Sequence, residues 1–192
     1  MLEYEKKIFL TEDEYLNLLR LGCGKKLTTI QTNYYYDSDD YKMNMQGITC
    51  RIREKGGKYK ATIKAHKQSN KECSIEKTKD ALNEYDDRLF SGMHLKLQGS
   101  LTTERAILYS DNECEVVLDK NTYLGMTDYE LEVEYLPGFE EYATELIYRY
   151  INIMYPLKIC MLILPQRVSK SKSERFFERK QKLSCQEEGE QS

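Results

Sequence analysis

A chain of 192 residues, 40% of them hydrophobic, is long enough to bury a core in one domain without disulfide or metal staples. Its net charge of -3 conceals a charged fraction of 32%, so a strong field must come from local sorting of charge, and a sequence pI of about 5.6 argues against an exposed basic stripe for nucleic acid. Six cysteines stand singly and only two histidines occur, which excludes a close-paired zinc site and points to thiols in a reducing cytoplasm.

In MLEYEKKIF, Glu3, Glu5 and Lys7 share one face of an extended strand, with Leu2, Tyr4 and Ile8 on the other. TEDEYLNLLRLGCG predicts a helix over 11–20, with Thr11 and Glu14 as a capping box and Gly22 or Gly24 as the stop. From TTIQTNYYYD to Asp119, short runs rich in Tyr, Ile, Thr and Val predict successive strands, with EKGGK and KQSNKE as turns. DALNEYDDRLFSGM reads as a helical insertion near 80–92. ECEVVLD, a turn at Gly125 and DYELEVEY continue the strands, and PGFEEYATELIYRYINIMYP follows as a helix over 138–154 closed by Pro156. The longest apolar run, ICMLIL at 159–164, is too short to span a bilayer, and the first residues carry no apolar signal core, so we expect a soluble cytoplasmic protein without a membrane partner. SKSKSERFFERKQKL reads as a basic loop entering a last helix over 174–183, which would end a single domain at 183 and leave 184–192 as a disordered polar tail.

Taken by parity, the strands are sorted by charge. TCRIRE sets Arg51 and Arg53 on one face, and KYKATIK sets Lys58, Lys60, Thr62 and Lys64 on one face. ECSIE, ECEVVLD and DYELEVEY do the same with acids: Glu72 and Glu76, then Glu115 and Asp119, then Glu130, Glu132 and Glu134. Two architectures satisfy this pattern. In a sandwich the apolar faces meet and the charges are solvated; in a closed barrel the charges face inward and helices cover the apolar outside. Periodicity leaves both open.

The motifs favour the second. The E-x-E-x-K spacing of Glu3, Glu5 and Lys7 at the N-terminus resembles the signature of the CYTH family, the triphosphate tunnel metalloenzymes. NYYYDSDD with QGITCRIRE resembles the family's YYDT and G-x-x-L-R-x-R segments, KYKATIK its K-x-T-x-K strand, and VVLDKNTYLGMTDYELEVE its L-D and E-L-E stretch. LTTER places Arg105 at a later arginine, and SKSKSERF resembles S-K-Y-x-R-F, with Lys172 and Arg175 aligned and Ser173 in place of Tyr. The order is kept from residue 3 to residue 176. Cys50 stands where Leu is frequent.

The resemblance implies an α+β fold: an eight-stranded antiparallel closed β-barrel with a charged interior and helices packed outside. It also implies a small-molecule triphosphate substrate and Mg2+ or Mn2+ as cofactor. By the same resemblance Glu3, Glu5, Asp119, Glu130 and Glu132 are the expected metal ligands. Arg51, Arg53, Lys64, Arg105 and Lys172 are the expected substrate cations, and Lys7 is the expected catalytic group, neutralising charge as water attacks the terminal phosphorus. Oxygen ligands and phosphate-binding arginines suit that chemistry. The expected activity is hydrolysis of inorganic or small organic triphosphates. Alternatives are a class IV adenylyl cyclase, disfavoured because only Met1 and Leu2 precede Glu3 where that subgroup carries a His-Phe pair, and a non-catalytic polyphosphate or nucleotide-binding module.

Overall fold

The computed structural model describes residues 2–21, 28–67, 70–155, 167 and 170–190. Its strands are β1 (Leu2–Leu10), β2 (Thr28–Asp37), β3 (Ile48–Lys55), β4 (Lys58–Lys67), β5 (Asn70–Ala81), β6 (Lys96–Ser110), β7 (Cys114–Tyr123) and β8 (Met126–Tyr135). Its helices are α1 (Glu12–Leu21), α2 (Lys42–Met45), α3 (Glu140–Asn152) and α4 (Lys172–Glu190). The strands pair antiparallel and close into one barrel in the order β1-β5-β4-β3-β2-β6-β7-β8. The sandwich is therefore excluded, and the charged parity of each strand faces the barrel interior.

Three apolar clusters follow from that choice of face. On the outside, Ile8, Leu118, Leu131 and Val133 pack under α1 and α3, whose Tyr15, Leu18, Ala143, Leu146 and Ile151 recur at helical spacing. A second outer cluster sets Cys50, Ile52 and Ala61 beneath Tyr36 and Phe90, so Cys50 is a buried outward-facing residue. The third lies at one end of the interior, where Phe176 and Phe177 of α4 pack on Tyr35, Leu101 and Tyr123. Helix α4 thus plugs the barrel.

Local chemistry sets the connections. Thr11 N donates to Glu14 Oε2 at 2.7 Å and Glu14 N to Thr11 Oγ1 at 3.3 Å, the expected capping box. Its expected stops at Gly22 and Gly24, and Pro156 and the ICMLIL run, lie outside the described residues, as do Cys23 and Cys160. The β7–β8 turn is two residues long, with Leu124 at φ 45° and Gly125 at φ 73°, the left-handed pair that matches strand twist. Asp37 ends β2 by accepting from Met43 N at 2.9 Å and Asn44 N at 2.8 Å, which starts α2.

Two expectations need correction. No α-helix forms near 80–92: β5 runs to Ala81, and a single 3-10 turn spans Asp87–Phe90. The reason is local competition, since Asp86 accepts from Leu82 N at 2.7 Å and Asn83 from Tyr85 N at 2.9 Å, taking amides that a helix would need. At the other end, α4 begins at Lys172 and continues to Glu190, past the expected limit at 183, because the polar run after Leu183 contains no proline and is made largely of helix-compatible side chains. Among the described residues no helix is long and apolar enough to cross a membrane.

Candidate active site

The interior holds a cavity of about 400 Å³. The interior divides by charge because the strands do. β7 and β8 bring Asp119, Glu130, Glu132 and Glu134 to one side, while β3 and β4 bring Arg51, Arg53, Lys60 and Lys64 to the other, and β1 lies against β8 with Lys7 opposite Glu132 and Glu5 opposite Glu134. All eleven side chains singled out by the sequence reading belong to this interior, at different depths.

Asp119, Glu130 and Glu132 are buried and each offers a carboxylate oxygen within 4.8 Å of the other two. Lys172 enters from the first turn of α4 into their midst. Its Nζ lies 2.9 Å from Asp119 Oδ2 and 2.8 Å from Glu132 Oε2 and also contacts Glu130. Arg105 bridges the group, donating to Asp119 at 2.8 and 2.7 Å, to Glu132 at 3.2 Å and to Glu134 at 2.8 Å. Burial raises the pKa of Glu130, but the Lys172 and Arg175 charges outweigh it and hold this carboxyl down to about 2. Glu132 is held well below the usual carboxylate range by Lys172, Arg105 and Lys7 despite its burial. Lys172 is raised in turn by Asp119, Glu130 and Glu132.

Glu3 and Glu5 form a separate group nearer the other end. Lys7 Nζ pairs with Glu5 at 2.6 Å, and Lys64 Nζ lies 3.1 Å from Glu3 and 3.7 Å from Glu5. Burial works against the charge on Lys7, yet Glu5 and Glu132 raise its pKa, so it remains an ammonium. Arg51 contacts Glu76 at 3.4 Å. Arg53 donates its Nε to Asn33 Oδ1 at 2.8 Å, and burial beside Arg51 and Arg105 lowers its pKa to about 10.

The two serine-flanked lysines near the C-terminus separate cleanly: Lys172 reaches the acids, whereas Lys170 pairs with Glu178 on the outside. Ser173 Oγ meets Thr49 Oγ1 at 2.6 Å, so the serine in place of the family's Tyr still ties α4 to β3. His94 is a loop residue with φ 52°, and the side chains of His66 and Glu72 lie outside the described residues.

Several residues to which the sequence reading gave no site role also face the interior. Glu76 is half-buried, 3.4 Å from both Arg51 and Lys64, and Lys60 and Glu134 line the cavity. Arg175 is ion-paired to Asp128 at 2.9 Å and Glu130 at 3.0 Å. The inner face of β2, Gln31, Asn33 and Tyr35, was invisible to charge parity because it is neutral. Parity itself was the available signal, since these three residues alternate as the charged ones do.

Hard oxygen donors converging on one point fit a divalent cation of the Mg2+ or Mn2+ type, and the group of Asp119, Glu130 and Glu132 meets that requirement. Opposite it, guanidinium and ammonium groups fit an oxyanion-rich ligand.

The family model described as "CYTH domain" matches residues 1–137. A Bacillus subtilis (strain 168) protein named "Putative triphosphatase YjbK" is 31% identical over a 205-residue alignment that covers 94% of this chain and 97% of that one. A solved structure from Bacillus halodurans, described as "a putative adenylate cyclase", is 26% identical with a TM-score of 0.66, covering 91% of this chain and 97% of that one. The structure of HpAC1 from Hippeastrum, described as a "putative adenylyl cyclase" with "a dominant" triphosphatase activity, shares the fold at 17% identity and a TM-score of 0.62, covering 79% of this chain and 87% of that one.

Proposed function

Because the chain belongs to the CYTH domain family, we propose that it is a metal-dependent hydrolase that cleaves a triphosphate, inorganic or a small organic one, inside the barrel. The observation that carries this reading is the split interior: three convergent buried carboxylates on β7 and β8, of which Glu132 reaches the cavity, lie on the side of the barrel opposite the cations of β3 and β4. An anion binder alone would gain nothing from the acids, and an acid site alone nothing from the cations. The Bacillus subtilis relative's name points the same way.

In this reading Asp119, Glu130 and Glu132, with Glu3 and Glu5 toward the other end, would hold Mg2+ or Mn2+. When bound, the cation supplies charge neutralisation and makes water a better nucleophile at neutral pH. Arg51, Arg53 and Lys64 hold the phosphoryl oxygens, the arginines through paired N–H groups. Lys7, kept protonated by Glu5 and Glu132, neutralises the charge that develops as water attacks the terminal phosphorus. Arg105 is so heavily engaged by Asp119, Glu132 and Glu134 that it orients the acids as well as facing the substrate. Lys172 holds the acid group together through its contacts with Asp119, Glu130 and Glu132.

The test is phosphate release from inorganic triphosphate, ATP and thiamine triphosphate, each with Mg2+, Mn2+ or chelator. Release that needs metal and is lost in Glu5→Gln and Glu132→Gln supports the hydrolase and ranks the substrates. Conversion of ATP to a cyclic nucleotide with pyrophosphate release would instead establish the cyclase, and metal-independent binding without turnover the binding module.

A further inference from the structure

Arg53 and Arg105 share one interior and are held in opposite ways. Arg105 donates to three carboxylates. Arg53 is held by a neutral acceptor, Asn33 Oδ1, at 2.8 Å. Asn33 is 0% exposed and sits on β2 directly across from Arg53 in the β2–β3 register. Among the described residues Arg53 forms no ion pair, while Arg51 beside it adds like charge. A guanidinium stays protonated at neutral pH in spite of this; Tyr35 and Glu76 offset the repulsion and desolvation around it only in part, and an incoming anion would relieve the rest.

The rest of the β2 inner face has the same character. Gln31 Nε2, Asn33 Nδ2 and the Tyr35 hydroxyl are buried without a hydrogen-bond partner among the described residues. Buried donors left unmatched are unfavourable, and a row of them beside a guanidinium with no ion pair among the described residues matches a ligand made of acceptor oxygens. An amide at position 33 therefore does what a carboxylate could not: it fixes the direction of Arg53 without cancelling its charge.

We propose that Asn33 is a specificity-determining positioning residue, which orients Arg53 with its charge intact and so biases the cavity toward triphosphates unesterified at both ends over triphosphate esters such as nucleotides. This rests on the triphosphatase reading and deepens it. An unesterified triphosphate carries more negative charge than its ester, so its binding depends more strongly on each uncompensated cation. Replacing Asn33 by the isosteric aspartate puts a carboxylate against Nε and removes that advantage.

The experiment compares kcat and KM for inorganic triphosphate and for ATP in wild type, Asn33→Asp and Asn33→Ser, with calorimetric titration of inorganic triphosphate in chelator as a readout independent of turnover. Asn33→Asp is expected to weaken triphosphate binding and raise its KM by about tenfold or more, with a smaller change for ATP, so that the preference ratio falls. Asn33→Ser, which loosens Arg53 without adding charge, lowers kcat/KM for both substrates and leaves the ratio near wild type. If Asn33→Asp does not fold, Arg53→Gln removes the same charge and must lower the ratio; an unchanged ratio in the aspartate variant, or in Arg53→Gln, overturns the proposal. Wild type that neither binds nor hydrolyses any triphosphate would overturn the functional reading itself, a different result.

Discussion

Lys172 illustrates how single charges are matched inside the barrel. Its ammonium contacts Asp119, Glu130 and Glu132 together, and removing one partner from such a buried set strands the others. Lys172→Met is expected to lower the unfolding free energy by about 3 kcal/mol in urea titrations, and divalent cation should restore part of that loss by filling the acid group. The same network sets a pH window. Glu130 has its folded pKa lowered from 4.5 to about 2, so between those values the unfolded chain binds more protons than the folded one. Its contribution to stability is full above about 4.5 and is lost as pH falls toward about 2. Thermal melts across that range in chelator should show the decline, and Glu130→Gln should lessen it, with Glu132 carrying part of the remainder. At this scale the sequence was informative wherever a charge stood on the right parity, as for Glu3, Arg53 or Glu132. It was silent on partners, since pairing such as Arg53 with Asn33 depends on strand register and neutral residues that carry no charge pattern.

Elements bring their own tests. Gly99 lies on β6 opposite Tyr35, next to a bulge, with φ 140°, and a Cβ there would sit 2.9 Å from Phe176 Cζ in α4. Gly99→Ala should therefore strain the backbone and push the plugging helix outward, at a cost of about 1–3 kcal/mol measurable by chemical denaturation. Helix α1 was legible in detail because Thr11 and Glu14 form a reciprocal cap that needs no tertiary contact. The segment around Asp86 was misread for the complementary reason. Its spacing allows a helix, but Asn83 and Asp86 spend the amides in short local bonds. The role of α4 was only half legible, since its basic first turn reads equally as a mobile loop until Phe176 and Phe177 are seen against Tyr35 and Leu101.

For the molecule as a whole, parity named which residues share a face but not which face is inside. Resemblance supplied that choice, and closure of β1 onto both β5 and β8 bears it out. One consequence is that the outer apolar layer carries the stability while the interior carries charge. Leu131 is 0% exposed between β8 and its covering helices, so Leu131→Ala should cost about 2–5 kcal/mol and lower Tm without altering the KM of the remaining folded enzyme. Closure also has a consequence in time. Lys7 on the first strand and Lys172 on the last helix converge on Glu132, so the interior is completed only when segments from opposite ends of the chain have met. Such distant pairings are slow to form because chain entropy must be lost before they are rewarded. In refolding after a denaturant jump, backbone circular dichroism should recover ahead of the capacity to bind triphosphate, with chain closure as the last event to which the site must wait.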